Sequence, residues 1–150
     1  MIRNGAALIA SRPISEMATS KRQLHGLTFG LGEAGYDVRI RQDVTLHPLS
    51  RFRLASTVEH FDVPTDLVGV VHDKSSWARR GLSVFNTVIE PGWNGYLTLE
   101  LVYHGWRPLR IRAFTGIAQI LWHELTEPAQ YRGRYQGQPD RPVSAIEATA

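Results

Sequence analysis

The sequence predicts an all-β fold, a sandwich, jelly roll or barrel built from many short strands. Three observations carry the prediction. Short apolar or alternating runs recur from Gly35 onward. Turn chemistry separates them, as in Val63-Pro64-Thr65-Asp66, Pro91-Gly92-Trp93-Asn94-Gly95 and Thr115-Gly116. The chain has 150 residues, 43% hydrophobic and 21% charged, which suits one globular domain with a real core.

Taken in order, the first thirty residues are weakly patterned, with Pro13 and scattered serines, and predict one short helix over 14–21. Strands are expected over 36–41, 52–61, 67–72, 82–89, 96–103, 109–114 and 117–122. A short helix over 75–80, capped by a serine, interrupts them. The stretch after Glu127 is rich in Gly, Gln, Pro and Arg and has no core pattern. The expected organisation is one β domain over 1–130, with 1–34 as its weak N-terminal segment, and a flexible C-terminal arm over 131–150.

Composition narrows the function. No run of 18 apolar residues exists, so no membrane span is expected. The opening MIRNGAALIASRPIS lacks a basic segment followed by a full apolar one, so no signal peptide is expected and the reading is cytoplasmic. Without cysteine there are no disulfides, thiolate metal sites or thiol nucleophiles, which fits a reducing compartment. The net charge is +3, and of 17 basic residues only Lys21 and Lys74 are not arginine. Arginine suits bidentate phosphate recognition, and GC-rich codon usage produces the same bias. No basic block forms a nucleic-acid footprint, so small anions fit better than a polymer.

Three segments could carry chemistry. In the run from Tyr96 to Tyr103, alternation puts Leu97, Leu99, Leu101 and Tyr103 on one face and Tyr96, Thr98, Glu100 and Val102 on the other. Glu100 is then either a solvated glutamate on a wet sheet face or a carboxylate held on a rigid strand as a general base. In Asp73-Lys74-Ser75-Ser76-Trp77-Ala78-Arg79-Arg80-Gly81, hydroxyls at a helix start and Arg79 one turn later suit an anion, or simply cap a surface helix. In the turn around Trp93, the indole packs on a ligand or folds back on its own sheet. The residues alone leave each pair open. Zinc nucleobase deaminases need His-x-Glu and Pro-Cys-x-x-Cys. Neither is present, nor is a Walker loop or a Gly-x-Ser-x-Gly.

The ordered set of motifs resembles the dCTP deaminase branch of the dUTPase-like superfamily. Ala34-Gly35-Tyr36-Asp37-Val38-Arg39 is similar to the first shared motif. The segment from Lys74 to Leu82 resembles Arg-Ser-Ser-x-x-Arg-x-Gly-Leu, and that from Ile89 to Gly95 resembles Ile-Asp-Pro-Gly-Trp/Phe-x-Gly. Leu97-Thr98-Leu99-Glu100 resembles the deaminase strand, and Ile117-Ala118-Gln119-Ile120 the family's Ile-Ala-Gln strand. Tyr131 with Arg134-Tyr135-Gln136-Gly137-Gln138 resembles the deaminase tail. Departures are Lys74 for Arg, Glu90 for Asp, Arg134 for Lys, and a stretch from Ser83 to Val88 shorter than the deaminase loop.

The resemblance implies a distorted jelly roll that trimerises, with active sites at subunit boundaries, acting on a magnesium-complexed dCTP without zinc. It makes Glu100 the general base, Ser75 a group that orients the attacking water, and Arg79 a nucleotide contact that shapes the site. Lys74, Ser76 and Gln119 would line the phosphate region. Thr87 and Val88 stand where the family's loop contacts the pyrimidine. Glu90 would take the 3′-hydroxyl and Trp93 would pack on the sugar, while Tyr131, Arg134 and Gln138 close over the triphosphate. The alternatives are a dUTP pyrophosphatase using Glu90, a bifunctional enzyme taking dCTP to dUMP, and a nucleotide-binding regulatory trimer without activity.

Overall fold

The longest alternating runs become the longest strands in the computed structural model of the chain, which describes residues 1–148. β6 (Phe52–Asp62) and β10 (Asn94–Tyr103) pair antiparallel, and β8 (Leu82–Val84) joins the other edge of β10. A seven-stranded sheet runs β2 (Lys21–Leu24), β3 (Leu27–Leu31), β4 (Tyr36–Arg39), β12 (Gly116–Glu124), β7 (Leu67–Asp73) and β9 (Val88–Ile89). β1 (Ile2–Arg3) pairs with β12, while β5 (Val44–Leu46) and β11 (Leu109–Ile111) form a small ribbon. Every ladder between these strands is antiparallel, as the expected all-β class requires.

One core holds the sheets together. Trp122, Tyr36, Phe61, Leu99 and Leu101 are fully buried, with the Phe61 ring 5.9 Å from Trp93 and 6.2 Å from Trp122. Removing such a ring costs about 3–5 kcal/mol, because the lost transfer energy is joined by a cavity. No helix among the described residues is long and apolar enough to cross a membrane.

The N-terminal third corrects the sequence reading. Residues 14–21 are not helical; the helix is α1 (Gly5–Ser11), which buries only Leu8. Ile14 is instead extended, 1% exposed and bridged to Phe61, because Pro13 and the core pull this stretch against the end of β6. A hairpin then forms between β2 and β3. Its turn, His25-Gly26, has positive φ at both residues (53° and 79°), as a tight primed turn demands.

Three other boundaries move. The expected strand over 82–89 is two strands, β8 and β9, which belong to different sheets. The strand expected over 109–114 stops at Ile111, before Phe114 turns with φ 65°. The second helix, α2 (Ser75–Ala78), is shorter than expected and has no serine cap. Lys74 occupies the capping position, and its carbonyl accepts from the Trp77 and Ala78 N–H groups.

Candidate active site

Because β8 leaves β10 at Val84 and β9 joins the edge of the other sheet, the chain between them opens a gap. That gap is a cavity of about 530 Å³. Phe52 and Leu54 of β6, Val71 of β7, and Leu97, Thr98 and Glu100 of β10 line its walls. Asn86, Thr87, Val88, Ile89, Glu90 and Trp93 close one side, and Tyr131, Tyr135, Gln138, Val143 and Ala145 the other. Seven residues singled out from sequence therefore meet here: Glu100, Thr87, Val88, Glu90, Trp93, Tyr131 and Gln138.

Glu100 is half-buried, and burial alone pushes its carboxyl above the usual carboxylate range. Among the described residues no cation or hydrogen-bond donor reaches that carboxylate, so nothing offsets the desolvation. Glu90 is exposed beside it, and its carbonyl accepts from the Trp93 N–H at 3.2 Å to close the turn. Trp93 is 5% exposed. It folds back onto Phe61, donates its indole N–H to the Tyr135 carbonyl at 2.7 Å, and still forms part of the cavity wall.

The stretch beyond Tyr131 lies across the cavity through main-chain bonds. The Tyr131 N–H donates to the Pro91 carbonyl at 2.8 Å, Gly137 to Asn94 at 2.8 Å, and Tyr96 to the Gln138 carbonyl at 3.0 Å. Gly95 makes this approach feasible: its φ is 135°, and a β-carbon there would sit 2.5 Å from the Gln138 nitrogen. Thr98 then ties the arm down from below. Its hydroxyl donates to Gln138 Oε1 at 2.9 Å and accepts from the Val143 N–H at 3.0 Å. Arg134 points away, with its guanidinium on the Ile146 carbonyl. Residues 149–150 of the arm lie outside the described residues.

The other sequence candidates gather elsewhere. Ser75 and Ser76 open α2 and Arg79 caps its C-terminal end, all outside the cavity of their own chain, with Arg79 exposed. Lys74 is 9% exposed, and its ammonium donates to Asp37 Oδ2 and to Thr28 Oγ1 (2.9 Å), so its charge is spent inside the domain. Gln119 lies on β12 between Asp37 of β4 and His72 of β7, away from the cavity. Asn86, Tyr135 and Val143 line the site without having been expected from sequence. For Asn86 the signal was there: it is the one amide in the apolar stretch from Leu82 to Ile89. Among the described residues no three His, Asp or Glu side chains converge to hold a metal ion.

The sheets are those of the dUTPase-like β fold. The native dUTPase of EIAV superposes with a TM-score of 0.57 over 77% of this chain and 91% of that one, at 21% identity. Within that fold the chain belongs to the dCTP deaminase-like family, whose model matches residues 36–125. A dCTP deaminase of Pseudomonas putida (strain F1) is 40% identical over 111 residues, 71% of this chain and 59% of that protein. A dCTP deaminase of Anaplasma phagocytophilum (strain HZ) is 31% identical over 160 residues, 85% of this chain and 86% of that protein. The chain thus spans about three-fifths of the P. putida relative. The family match takes in Lys74 to Glu100 and Gln119 and ends before Tyr131.

Proposed function

We propose that the protein is a dCTP deaminase in which Glu100 is the general base. The observation that carries the reading is an unpartnered, half-buried carboxylate on a rigid strand, in a cavity large enough for a nucleoside. The raised affinity of Glu100 for protons brings it nearer the working pH, where a base is most effective. Glu100 takes a proton from water as the water oxygen bonds to C4 of the cytosine. The proton passes to N3; the tetrahedral carbon then collapses to the C4 carbonyl as Glu100 carries the proton of the new C4 hydroxyl to the amino group, and the C4–N bond breaks to release ammonia. The cavity walls are apolar around Phe52, Leu54, Val71 and Leu97, which lowers the polarity around the base.

Magnesium enters this reading as part of the substrate, bound to the triphosphate, and the reaction needs no zinc. Ser75, Ser76 and Arg79 stand away from the cavity of their own chain, and we assign them to the neighbouring site of a homotrimer. There Ser75 orients the water and Arg79 meets the nucleotide. Thr87 and Val88 face the pyrimidine, Glu90 and Trp93 the sugar, and Tyr131 and Gln138 hold the closed arm. Gln119, Ser76 and Arg134 are assigned to the phosphates on the family resemblance. A cytoplasmic location fits the cysteine-free composition.

One observation favours a second activity: Glu90 shares the cavity with Glu100, so a water activated for attack on phosphorus would release pyrophosphate as well. Incubation with dCTP or dUTP and magnesium, with ammonia, pyrophosphate and nucleotides quantified, tests both. Ammonia from dCTP is the expected result; its absence overturns the reading, and pyrophosphate from dUTP adds the second activity. A sedimentation mass of one chain at micromolar concentration would remove the shared-site arrangement.

A further inference from the structure

The departure of β8 from β10 raises a question of satisfaction. An antiparallel edge strand that loses its partner leaves N–H and C=O groups bare, and a buried bare group destabilises a fold. β8 ends with Val84 opposite Leu101, so the next positions of β10, Glu100 back to Thr98, face a neighbour that has turned away. The Phe85 N–H still donates to the Glu100 carbonyl at 2.7 Å. The reciprocal bond of a regular ladder would run from the Glu100 N–H to the Phe85 carbonyl. It is replaced: the Glu100 N–H donates at 3.0 Å to Oδ1 of Asn86. The amide nitrogen of the same side chain donates at 2.7 Å to the Thr98 carbonyl.

One side chain thus imitates the missing strand at two successive groups. Its main chain is free to cross to the other sheet, where the Thr87 carbonyl accepts from Val71 and β9 pairs with β7. The crossing opens the cavity, and Asn86 makes it possible without unpairing β10. The opposite edge of β10 gives weaker control near this point, because its register with β6 shifts between Tyr96 and Thr98.

We propose that Asn86 is the positioning residue of the site. Resting on Glu100 as general base, this reading says that the two amide bonds fix the strand segment carrying Thr98 and Glu100, and so aim the carboxylate. Both polar functions of Asn86 are spent on the main chain, so it reads no substrate atom itself. Its effect falls on kcat, with binding left to the sugar and phosphate contacts.

The test uses the full-length protein and Asn86→Ala, with Asn86→Asp as the conservative variant. Aspartate keeps the acceptor for the Glu100 N–H and loses the donor to Thr98. Amide hydrogen exchange without nucleotide should show the Glu100 N–H protected in the wild type and in N86D, and fast in N86A. A misaimed base costs about 10- to 100-fold in rate, so kcat for ammonia release should fall by that much in N86A with KM within about twofold. N86D should fall between, with its acid limb moved to higher pH by the added charge. Unchanged protection in N86A overturns the proposal, as does lost protection with unchanged kcat. Full activity in Glu100→Gln would instead dismiss Glu100 as base, and the exchange result would then judge the bridge alone.

Discussion

Two kinds of acid, buried in ion pairs or lining the large cavity, divide the molecule into scaffold and site. Asp37 and Glu59 belong to the first kind. Asp37 meets the Lys74 ammonium, and both side chains are about a tenth exposed. Glu59 accepts from the Arg39 N–H and guanidinium, each at 2.8 Å, at the edge of a smaller cavity lined by Ser15, His60 and Tyr96. Burial pushes the Glu59 carboxyl upward, and Arg39 opposes that push. Glu100 and Glu90 belong to the second kind, lining the large cavity with no cation, among the described residues, on either carboxylate. A carboxylate locked to a cation joins distant strands and is a poor proton acceptor; one left bare is a strain on the fold that chemistry can use. Burial alone would have nominated Glu59 as the base. Pairing argues for Glu100.

The largest effect should come from the bare acid. Glu100→Gln keeps the shape and removes the base, so ammonia release from dCTP should fall by about 10²–10⁴-fold while nucleotide affinity, read by titration, changes little. Retained activity would erase the distinction between the two kinds of acid.

The paired acids predict a different loss. Lys74→Met leaves Asp37 buried without its cation, which costs about 3–5 kcal/mol, read from the urea midpoint at constant slope. The family resemblance assigns Lys74 to the triphosphate instead. Loss of nucleotide affinity at unchanged stability would support that assignment and break the comparison, since Lys74 would then serve the site and not the scaffold.

Truncation before Tyr131 tests the arm that roofs the bare acids. It removes Tyr131, Tyr135, Gln138 and Val143 from the wall and strips the acceptor from the Trp93 indole. Arg134, which we assign to the triphosphate, goes with it. We expect kcat/KM to fall by about 10- to 100-fold, the scale of one lost bond to a charged group, with KM rising and kcat falling together. Unchanged kinetics would make the arm irrelevant to the site.

What could be read from the sequence was local. Glu100 stood out because strand alternation separates it from the leucines, and the turn at Pro91–Gly95 fixed where Glu90 and Trp93 lie relative to that strand. The pairing that decides chemistry was not local. Lys74 finds Asp37 across 37 positions and Arg39 finds Glu59 across 20, contacts that no periodicity encodes. The split of 82–89 into two sheets was hidden for a related reason. The apolar pattern runs on without a Gly or Pro, and only the side chain of Asn86, bonded to β10, lets the strand leave. The hairpin at His25-Gly26 carried a turn signal, yet the polar β2 beside it gave no apolar face to pattern.

The smallest predicted effect is the most direct measure of bareness. The Glu100 carboxyl is raised in the folded protein by burial. Between its ordinary value and the raised one, the folded state keeps a proton that the unfolded chain has released, so folded stability is full below the ordinary value and declines as pH rises through the raised one. At neutral pH the wild type therefore folds with an ionised, partly desolvated carboxylate that Glu100→Gln does not have. The variant should match the wild type in urea unfolding at pH 4 and be slightly the more stable at pH 7. Because Glu100 is only half-buried, the gain should stay within about 0.5 kcal/mol. A loss of stability at pH 7 relative to pH 4 would mean that the ionised carboxylate has a favourable partner, and Glu100 would join Asp37 and Glu59 in the scaffold. A gain at pH 7 alone would confirm that the fold holds this charge at its own expense.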